Sequence, residues 1–418
     1  MLDMNKLKPI KGCKDLLDDE ILKFRFIIKK FEDIARLYGC QEIATPILEY
    51  TEIFTKSLGE SSDVVGKEMY SFIDQGDDNL TLRPEFTASI MRAVFSSKLL
   101  HRLPLKLFCY GPLFRRENPQ AGRQRQFHQI NAEFLGAHKP YSDAEAIKFA
   151  ADILDALGIK NYILEINSLG CSSSRQSYQK ALFEYFKDNI INLSEISKIR
   201  LKKNPLRILD SKEACDKILI QQAPKISNYY TSDAKERFEQ VLEHLATLEV
   251  NYKINEQIVR GLDYYSHTAF EFTSNDLGAQ SAIIAGGRYD GLAQLIQGKE
   301  QVPAIGFAGG LERIMMLINK DFTPLFTVIV IPINNGQLSL ALQVASLLRQ
   351  QGIGCSLEVG GKIGDVIKKA CRSFAPRFAV LIGEDEQKSG LLTLKDLQNF
   401  TQESLILEDL IRTIYEKK

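Results

Sequence analysis

Apolar residues recur at helical spacing over 17–38, at Ile21, Phe24, Phe26, Ile27, Phe31, Ile34 and Leu37, and Gly39 follows as a stop signal. The pattern predicts a helix there, a strand over 42–48, another over 79–82, and helices over 87–100 and 141–158. Pro46 lies inside the 42–48 run. A proline donates nothing to a ladder, so that strand belongs at a sheet edge or an interface. Residues 105–137 read as two strands joined by a polar loop. From 171 to about 246 the chain is lysine-rich and helical, with no strong strand signal, which marks an inserted helical segment. Strand signals return at 252–258, 270–272 and 282–285, and a helix over 311–318 follows Gly309-Gly310. Past a linker at 320–324, apolar runs at 326–333, 355–359 and 377–382 alternate with helices over 335–351, 362–374 and 404–416. That alternation predicts a small α/β domain with a largely parallel sheet.

One strand breaks the usual pattern. Across Gln126-Phe127-His128-Gln129-Ile130-Asn131-Ala132-Glu133, residues Phe127, Gln129, Asn131 and Glu133 share one face. A core sheet has no structural use for such a row, because buried polar groups need partners. The face is either wet or the floor of a polar-ligand site. The strand before it ends in Arg115 and Glu117, and the loop between adds Arg123 and Arg125. Amides and a carboxylate beside guanidinium groups suit a small zwitterion together with a phosphate.

The bulk numbers exclude several classes. At 418 residues the chain is long enough for two or three domains. Lys plus Arg equals Asp plus Glu, 53 each, so a polyanionic partner must meet a local basic patch. The 7 cysteines are scattered with no CxxC, which argues for reduced thiols in a cytoplasmic protein and against a structural zinc site. No apolar run approaches the roughly 18 residues of a membrane span.

Four further clusters carry candidate chemistry. Arg83-Pro84-Glu85-Phe86-Thr87 offers a carboxylate and a hydroxyl for an ammonium group, or a helix start signal. Arg260-Gly261-Leu262-Asp263-Tyr264-Tyr265 joins a permanent cation to tyrosines able to hold an imidazole, or is a turn before core tyrosines. Ala285-Gly286-Gly287-Arg288-Tyr289-Asp290-Gly291 reads as a Gly-rich turn that admits a ligand edge or meets a positive φ. Gly306-Phe307-Ala308-Gly309-Gly310-Leu311-Glu312-Arg313 puts Arg313 in a first helical turn, where N–H groups favour anions. The glycines at 360–364 form neither GxGxxG nor a P-loop, and no residues have metal-ligand spacing.

Together these blocks resemble the histidyl-tRNA synthetase family of class II aminoacyl-tRNA synthetases. Residues 114–129 are similar to motif 2, Gly306 to Arg313 to motif 3, and Pro46 to the motif 1 proline of the dimer interface. The blocks 82–87 and 259–265 resemble the family's histidine-specific segments, and 204–210 a segment of its insertion domain. The resemblance spans nearly the whole chain in order. It implies an α+β fold: an antiparallel sheet core with helices, interrupted by a helical insertion and followed by an α/β anticodon-binding domain. The catalytic core would cover 1–170 and 250–320, the insertion 171–249 and the anticodon-binding domain 325–418.

The resemblance also implies the chemistry. The chain would join L-histidine to ATP, releasing pyrophosphate, then pass histidine to the 3′ end of tRNA(His). Mg²⁺ would be bound through the ATP phosphates, with no dedicated metal motif on the protein, and the enzyme would be a homodimer. Glu85 and Thr87 would hold the α-ammonium group, Gln129 and Arg260 the carboxylate, and Glu133, Tyr264 and Tyr265 the imidazole. Arg115 would bind the α-phosphate and Arg313 the γ-phosphate, with Arg260 on the α-phosphate in the transition state. Phe127 would stack on adenine beside Glu117, and Gly286 and Gly287 would line the pocket. Gln120, Arg123 and Arg125 would lie in the loop that meets the tRNA acceptor end. Three positions depart from the family pattern: Phe86 stands for a usual glycine, Asn118 for a usual arginine, and Cys13 sits in the N-terminal turn. The competing reading is a catalytically dead paralogue such as a regulatory subunit of ATP phosphoribosyltransferase. The presence of Arg115, Arg260, Arg313 and the C-terminal domain weighs against it.

Overall fold

In the computed structural model, which describes residues 7–59, 64–120, 122–258, 264–278, 281–298, 301–320, 322 and 328–417, the first periodic run is helix α1, Asp18–Leu37. Asp18, Asp19 and Glu20 occupy its first turn and Arg36 its last, matching charge to the helix dipole. Gly39, at φ 69°, turns the chain where a Cβ would be strained. The chain divides into two units, 1–320 and 321–418.

In the first unit, β1 (Gln41–Glu42) opens a large sheet. The next three strands, β2 (Leu48–Tyr50), β3 (Tyr70–Ile73) and β4 (Asn79–Leu82), form a separate antiparallel sheet in the order β2-β4-β3, with α2 (Thr51–Leu58) alongside. The predicted 42–48 strand is therefore two short strands in two sheets, divided around Pro46. The large sheet continues with β5 (Leu105–Phe114), β6 (Gln126–Leu135), β7 (Ile163–Ser168), β8 (Lys253–Ile254), β9 (Ser266–Thr273), β10 (Ala282–Arg288) and β11 (Ala304–Gly310). Its spatial order is β1-β5-β6-β11-β10-β9-β7-β8. Only β1 and β8 run parallel to their neighbours; the other pairings are antiparallel.

The segments 285–291 and 306–310 depart from expectation. The first is strand β10 through Arg288 rather than a turn, and the second is strand β11. Gly286, Gly287, Gly306 and Gly309 are absent from the positive-φ positions. They are glycines because side chains and carbonyls crowd them, and no local pattern reports that.

Helices cover both faces of the large sheet. On one, α3 (Thr87–Ser96) and α2 join an apolar cluster with Leu105, Leu107, Leu113 and Leu135. On the other, α4 (Pro140–Ala156) packs against β10 and β11. There Phe149 meets Phe307 edge-on at 5.2 Å and stacks near Phe134 at 6.4 Å. The 171–249 segment is helical: α5 (Ser172–Asp188), α6 (Glu195–Lys203), α7 (Ala214–Gln222) and α8 (Ser232–Thr247). It has its own core around Tyr178, Leu182, Phe186 and Ile208, which closes on Ala269 of β9. The unit ends in α9 (Leu292–Gln297) and α10 (Leu311–Leu317).

The second unit contains β12 (Val328–Pro332), α11 (Leu338–Gln350), β13 (Cys355–Leu357), α12 (Ile363–Phe374), β14 (Phe378–Ile382), α13 (Glu384–Ser389), β15 (Leu392–Asp396), β16 (Thr401–Leu405) and α14 (Leu407–Glu416). The sheet order is β13-β12-β14-β15-β16. β12 pairs parallel with β13 and β14, but β15 and β16 add an antiparallel hairpin to the expected parallel sheet. The exposed, polar β16 has no apolar alternation to announce it.

Candidate active site

The polar face of β6 is buried at its inner end and half-buried at Phe127 and Gln129. Asn131 and Glu133 are 2% and 1% exposed. The register sets Leu107, Cys109 and Gly111 of β5 opposite Glu133, Asn131 and Gln129, and Gly306 of β11 against Glu133 from the other side. Glu133 is well supplied with donors. The Thr87 hydroxyl donates to its Oε1 at 2.6 Å, Asn131 Nδ2 to the same oxygen at 3.1 Å, and the Tyr289 hydroxyl to Oε2. A Cβ at Gly306 would lie 1.5 Å from Glu133 Oε2, so only glycine leaves the carboxylate its place. Burial raises the Glu133 pKa to about 7, against the pull of those three donors.

Glu85 lies at the start of α3 and accepts the backbone N–H groups of Thr87 and Ala88 at 2.6 and 2.8 Å. Its carboxylate caps the helix from its position two residues before Thr87. Burial also raises its pKa. Because Thr87 gives its hydrogen to Glu133, its oxygen remains an acceptor. Tyr264 completes this corner, its ring 4.7 Å from Tyr265 and 5.7 Å from Tyr289. Gly287 faces the Tyr265 ring, which a Cβ would approach to 3.0 Å. Gly286, expected to line the pocket, instead faces Gly306 O, Phe270 and Phe307, because successive strand residues point to opposite faces.

Farther along the same strand, Phe127 and Gln129 line a cleft with Arg115, Glu117, Arg123 and Arg313. Arg115 donates from Nε to Pro84 O at 2.9 Å, and its guanidinium lies 5.4 Å from the Phe127 ring centre. Arg313 donates to Gly122 O at 3.3 Å and Ala282 O at 3.0 Å. Burial and the nearby Arg123 lower its pKa. Arg123 forms an ion pair with Glu117 at 2.9 Å. Several guanidinium groups around an aromatic ring have the chemistry to take a polyanion with a flat base. Gln120 is exposed and accepts the Arg123 backbone N–H at 2.9 Å. Arg125 donates its backbone N–H to Gly12 O at 2.6 Å, and its side chain packs on Gly12. Arg260, with residues 259–263, lies outside the described residues.

Sequence reasoning missed Tyr289 and left Asn131 without a role. Both act on Glu133. It also put Arg288 on a turn, whereas Arg288 is fully buried against the fully buried Asp143, with further bonds to Ala137 O at 2.7 Å and Asp290 at 2.9 Å. An arginine closing a strand and followed by a tyrosine was the available signal, but Asp143 and Glu133, which hold them, lie far away in sequence. Among the described residues no group of three His, Cys, Asp or Glu side chains is placed to hold a metal ion, and no helix is long and apolar enough to cross a membrane.

An antiparallel sheet in which one strand serves both a carboxylate-and-amide floor and an arginine-lined aromatic cleft is the framework of a class II aminoacyl-tRNA synthetase. The family model described as Histidyl-tRNA synthetase matches residues 12–314, and that described as Anticodon binding domain matches 327–417. The chain belongs to the histidyl-tRNA synthetase family. It is 50% identical over 405 residues to the histidine–tRNA ligase of Rickettsia bellii, covering 97% of each chain. The crystal structure of apo S. aureus histidyl-tRNA synthetase is 30% identical with a TM-score of 0.81, covering 97% of this chain and 99% of that one. The histidyl-tRNA synthetase from Nostoc sp. PCC 7120, at 22% identity and a TM-score of 0.72, shares the fold over 98% of this chain and 99% of its own.

Proposed function

We propose that this chain is a histidine–tRNA ligase. It activates L-histidine with ATP to histidyl-adenylate and pyrophosphate, then transfers histidine to the 3′ end of tRNA(His). The observation that carries this reading is the buried Glu133 carboxylate, held by Thr87, Asn131 and Tyr289 on the strand whose other residues line the arginine cleft. A buried acceptor beside a tyrosine cluster suits an imidazole. A wrong side chain there leaves polar groups unpaired, so discrimination needs no editing domain.

In the proposed site Glu85 and the Thr87 oxygen hold the α-ammonium group, and Gln129 and Arg260 the carboxylate. Glu133, Tyr264 and Tyr265 take the ring, with Gly287 keeping the Tyr265 side open. Phe127 stacks on adenine near Glu117. Arg115 and Arg313 take the α- and γ-phosphates. The carboxylate of histidine attacks the α-phosphorus, and the P–O bond to pyrophosphate breaks. Arginines lower that barrier by neutralising charge as it develops, with Arg260 acting at the α-phosphate. Mg²⁺ held through the ATP phosphates would supply further positive charge there. The loop with Gln120, Arg123 and Arg125 approaches the tRNA acceptor end, and residues 325–418 bind the anticodon. The segment 171–249 acts as an insertion in a core made of 1–170 and 250–320.

The protein works in the cytoplasm as a homodimer. Exposed Ile47, Leu48, Tyr50, Phe72 and Ile73 on and beside the small sheet support an interface between copies, and a monomeric mass in solution would refute it. The test of function is histidine-dependent ATP–pyrophosphate exchange with pure protein and Mg²⁺. Exchange absent with histidine, or equally strong with other amino acids, overturns the reading.

A further inference from the structure

We propose that Asn131 and Tyr289 are positioning residues that hold Glu133 as the acceptor of a single imidazole N–H, and thereby decide which tautomer of histidine the site takes. The inference rests on the histidine reading above.

The lone pairs of the carboxylate set how many donors it takes. An ionised carboxylate offers about four acceptor positions. Thr87 Oγ1 and Asn131 Nδ2 both donate to Oε1, and the Tyr289 hydroxyl donates to Oε2. One position on Oε2 is left for the ligand. A neutral imidazole carries one N–H and one bare nitrogen. Glu133 therefore receives the N–H, and the bare nitrogen is left for a hydroxyl of the Tyr264–Tyr265 pair. Were either protein donor missing, a second acceptor position would open and a misoriented ring could be accommodated.

Both donors are held so that they cannot follow a displaced carboxylate. Asn131 is on the same strand, two residues from Glu133, and its Oδ1 faces the Cys109 thiol. Tyr289 donates its backbone N–H to Ala304 O at 2.8 Å. The preceding residue, Arg288, is pinned on the opposite face by Asp143, Asp290 and Ala137 O. The Tyr289 ring packs edge-on against Tyr264 at 5.7 Å and Tyr265 at 6.5 Å. On the other side of Glu133, the close approach at Gly306 lets the carboxylate lie flat on the sheet.

The titratable groups facing Glu133 are Glu85 before α3, Cys109 on β5, Tyr264 before β9 and Tyr289 after β10, with Tyr265 packed on the two tyrosines. Burial keeps the Cys109, Tyr264 and Tyr289 protons on, well above their usual ranges. Glu85 opposes a charge on Glu133, while the three donors favour it. Removing one donor therefore moves the ionisation of Glu133 to higher pH.

The test is Tyr289→Phe, which deletes one hydroxyl and keeps the ring. KM for histidine and for ATP are measured by pyrophosphate exchange from pH 5.5 to 9. A hydrogen bond to a charged group is worth about tenfold or more, so KM for histidine rises by about that factor. KM for ATP stays within about twofold, and the pH at which histidine binding improves shifts upward. If both KM values rise together, or if neither the histidine KM nor its pH profile moves, the positioning role is overturned while wild-type exchange still upholds the enzyme. Wild-type protein without histidine-dependent exchange overturns both. Should Tyr289→Phe fail to fold, Asn131→Ala carries the same expectations.

Discussion

Gly306→Ala is expected to be far more damaging than its single added methyl group suggests. The new Cβ would lie 1.5 Å from Glu133 Oε2, 2.5 Å from Glu133 Cδ and 2.6 Å from Ala132 O. Neither strand can retreat, because Gly306 pairs with Glu133 on one side and Gly287 on the other. The Glu133 carboxylate must swing away and leave Thr87, Asn131 or Tyr289 unpaired. Overpacking costs about 1–3 kcal/mol, and a lost hydrogen bond to a buried charged group about 1.5–3 kcal/mol, together roughly 3–6 kcal/mol. At about 2–4 °C per kcal/mol for larger domains, the melting temperature falls by at least about 6 °C. The strand supplies its own controls. At Gly309 the new atom meets Ile284 and Ile130 side chains at 3.0–3.1 Å, which can adjust, and at Gly310 nothing is closer than 3.9 Å. Thermal unfolding of the three alanine variants should rank them 306, then 309, then 310 in loss of stability. KM for histidine should rise in Gly306→Ala even below its melting temperature. A Gly306→Ala protein that melts with wild type and keeps its histidine KM refutes the crowding argument.

Two other outcomes follow from buried charge. Asp143→Ala leaves the fully buried Arg288 with only Asp290 and Ala137 O and removes the acceptor of the Thr268 hydroxyl, so denaturant unfolding should show a loss of about 3–5 kcal/mol; a loss under about 1 kcal/mol refutes the pairing. Glu133 has a folded pKa raised from 4.5 to about 7, so its contribution to stability is full below about 4.5 and is lost as pH rises through about 7. The unfolding free energy of wild type minus that of Glu133→Gln should therefore decline from pH 5 to pH 8, and a difference that is flat or rises with pH contradicts the raised pKa.

Much of the fold was written locally. The 3.6-residue spacing over 17–38 and the apolar run ending before Gly158 anticipate α1 and α4 within a residue or two. Residues 79–82 form β4 as expected. The period-2 switch over 126–133 set Gln129, Asn131 and Glu133 on one face, because alternation needs no knowledge of neighbours. The glycine segments failed for the converse reason. A glycine chosen for crowding and one chosen for a left-handed turn look the same in sequence, and Gly306 is explained only by a carboxylate on another strand.

The sequence by itself therefore determined the periodic elements, the polar face and the family signature in the residues that carry it. Each of these is encoded by residues close together along the chain. Only the tertiary structure decided that the polar face is buried and who satisfies it. Thr87 comes from 46 residues before Glu133 and Tyr289 from 156 residues after it. A buried carboxylate in a low-dielectric site must have donors. That requirement is legible in the strand, but the identity of the donors depends on which distant elements the fold brings alongside it.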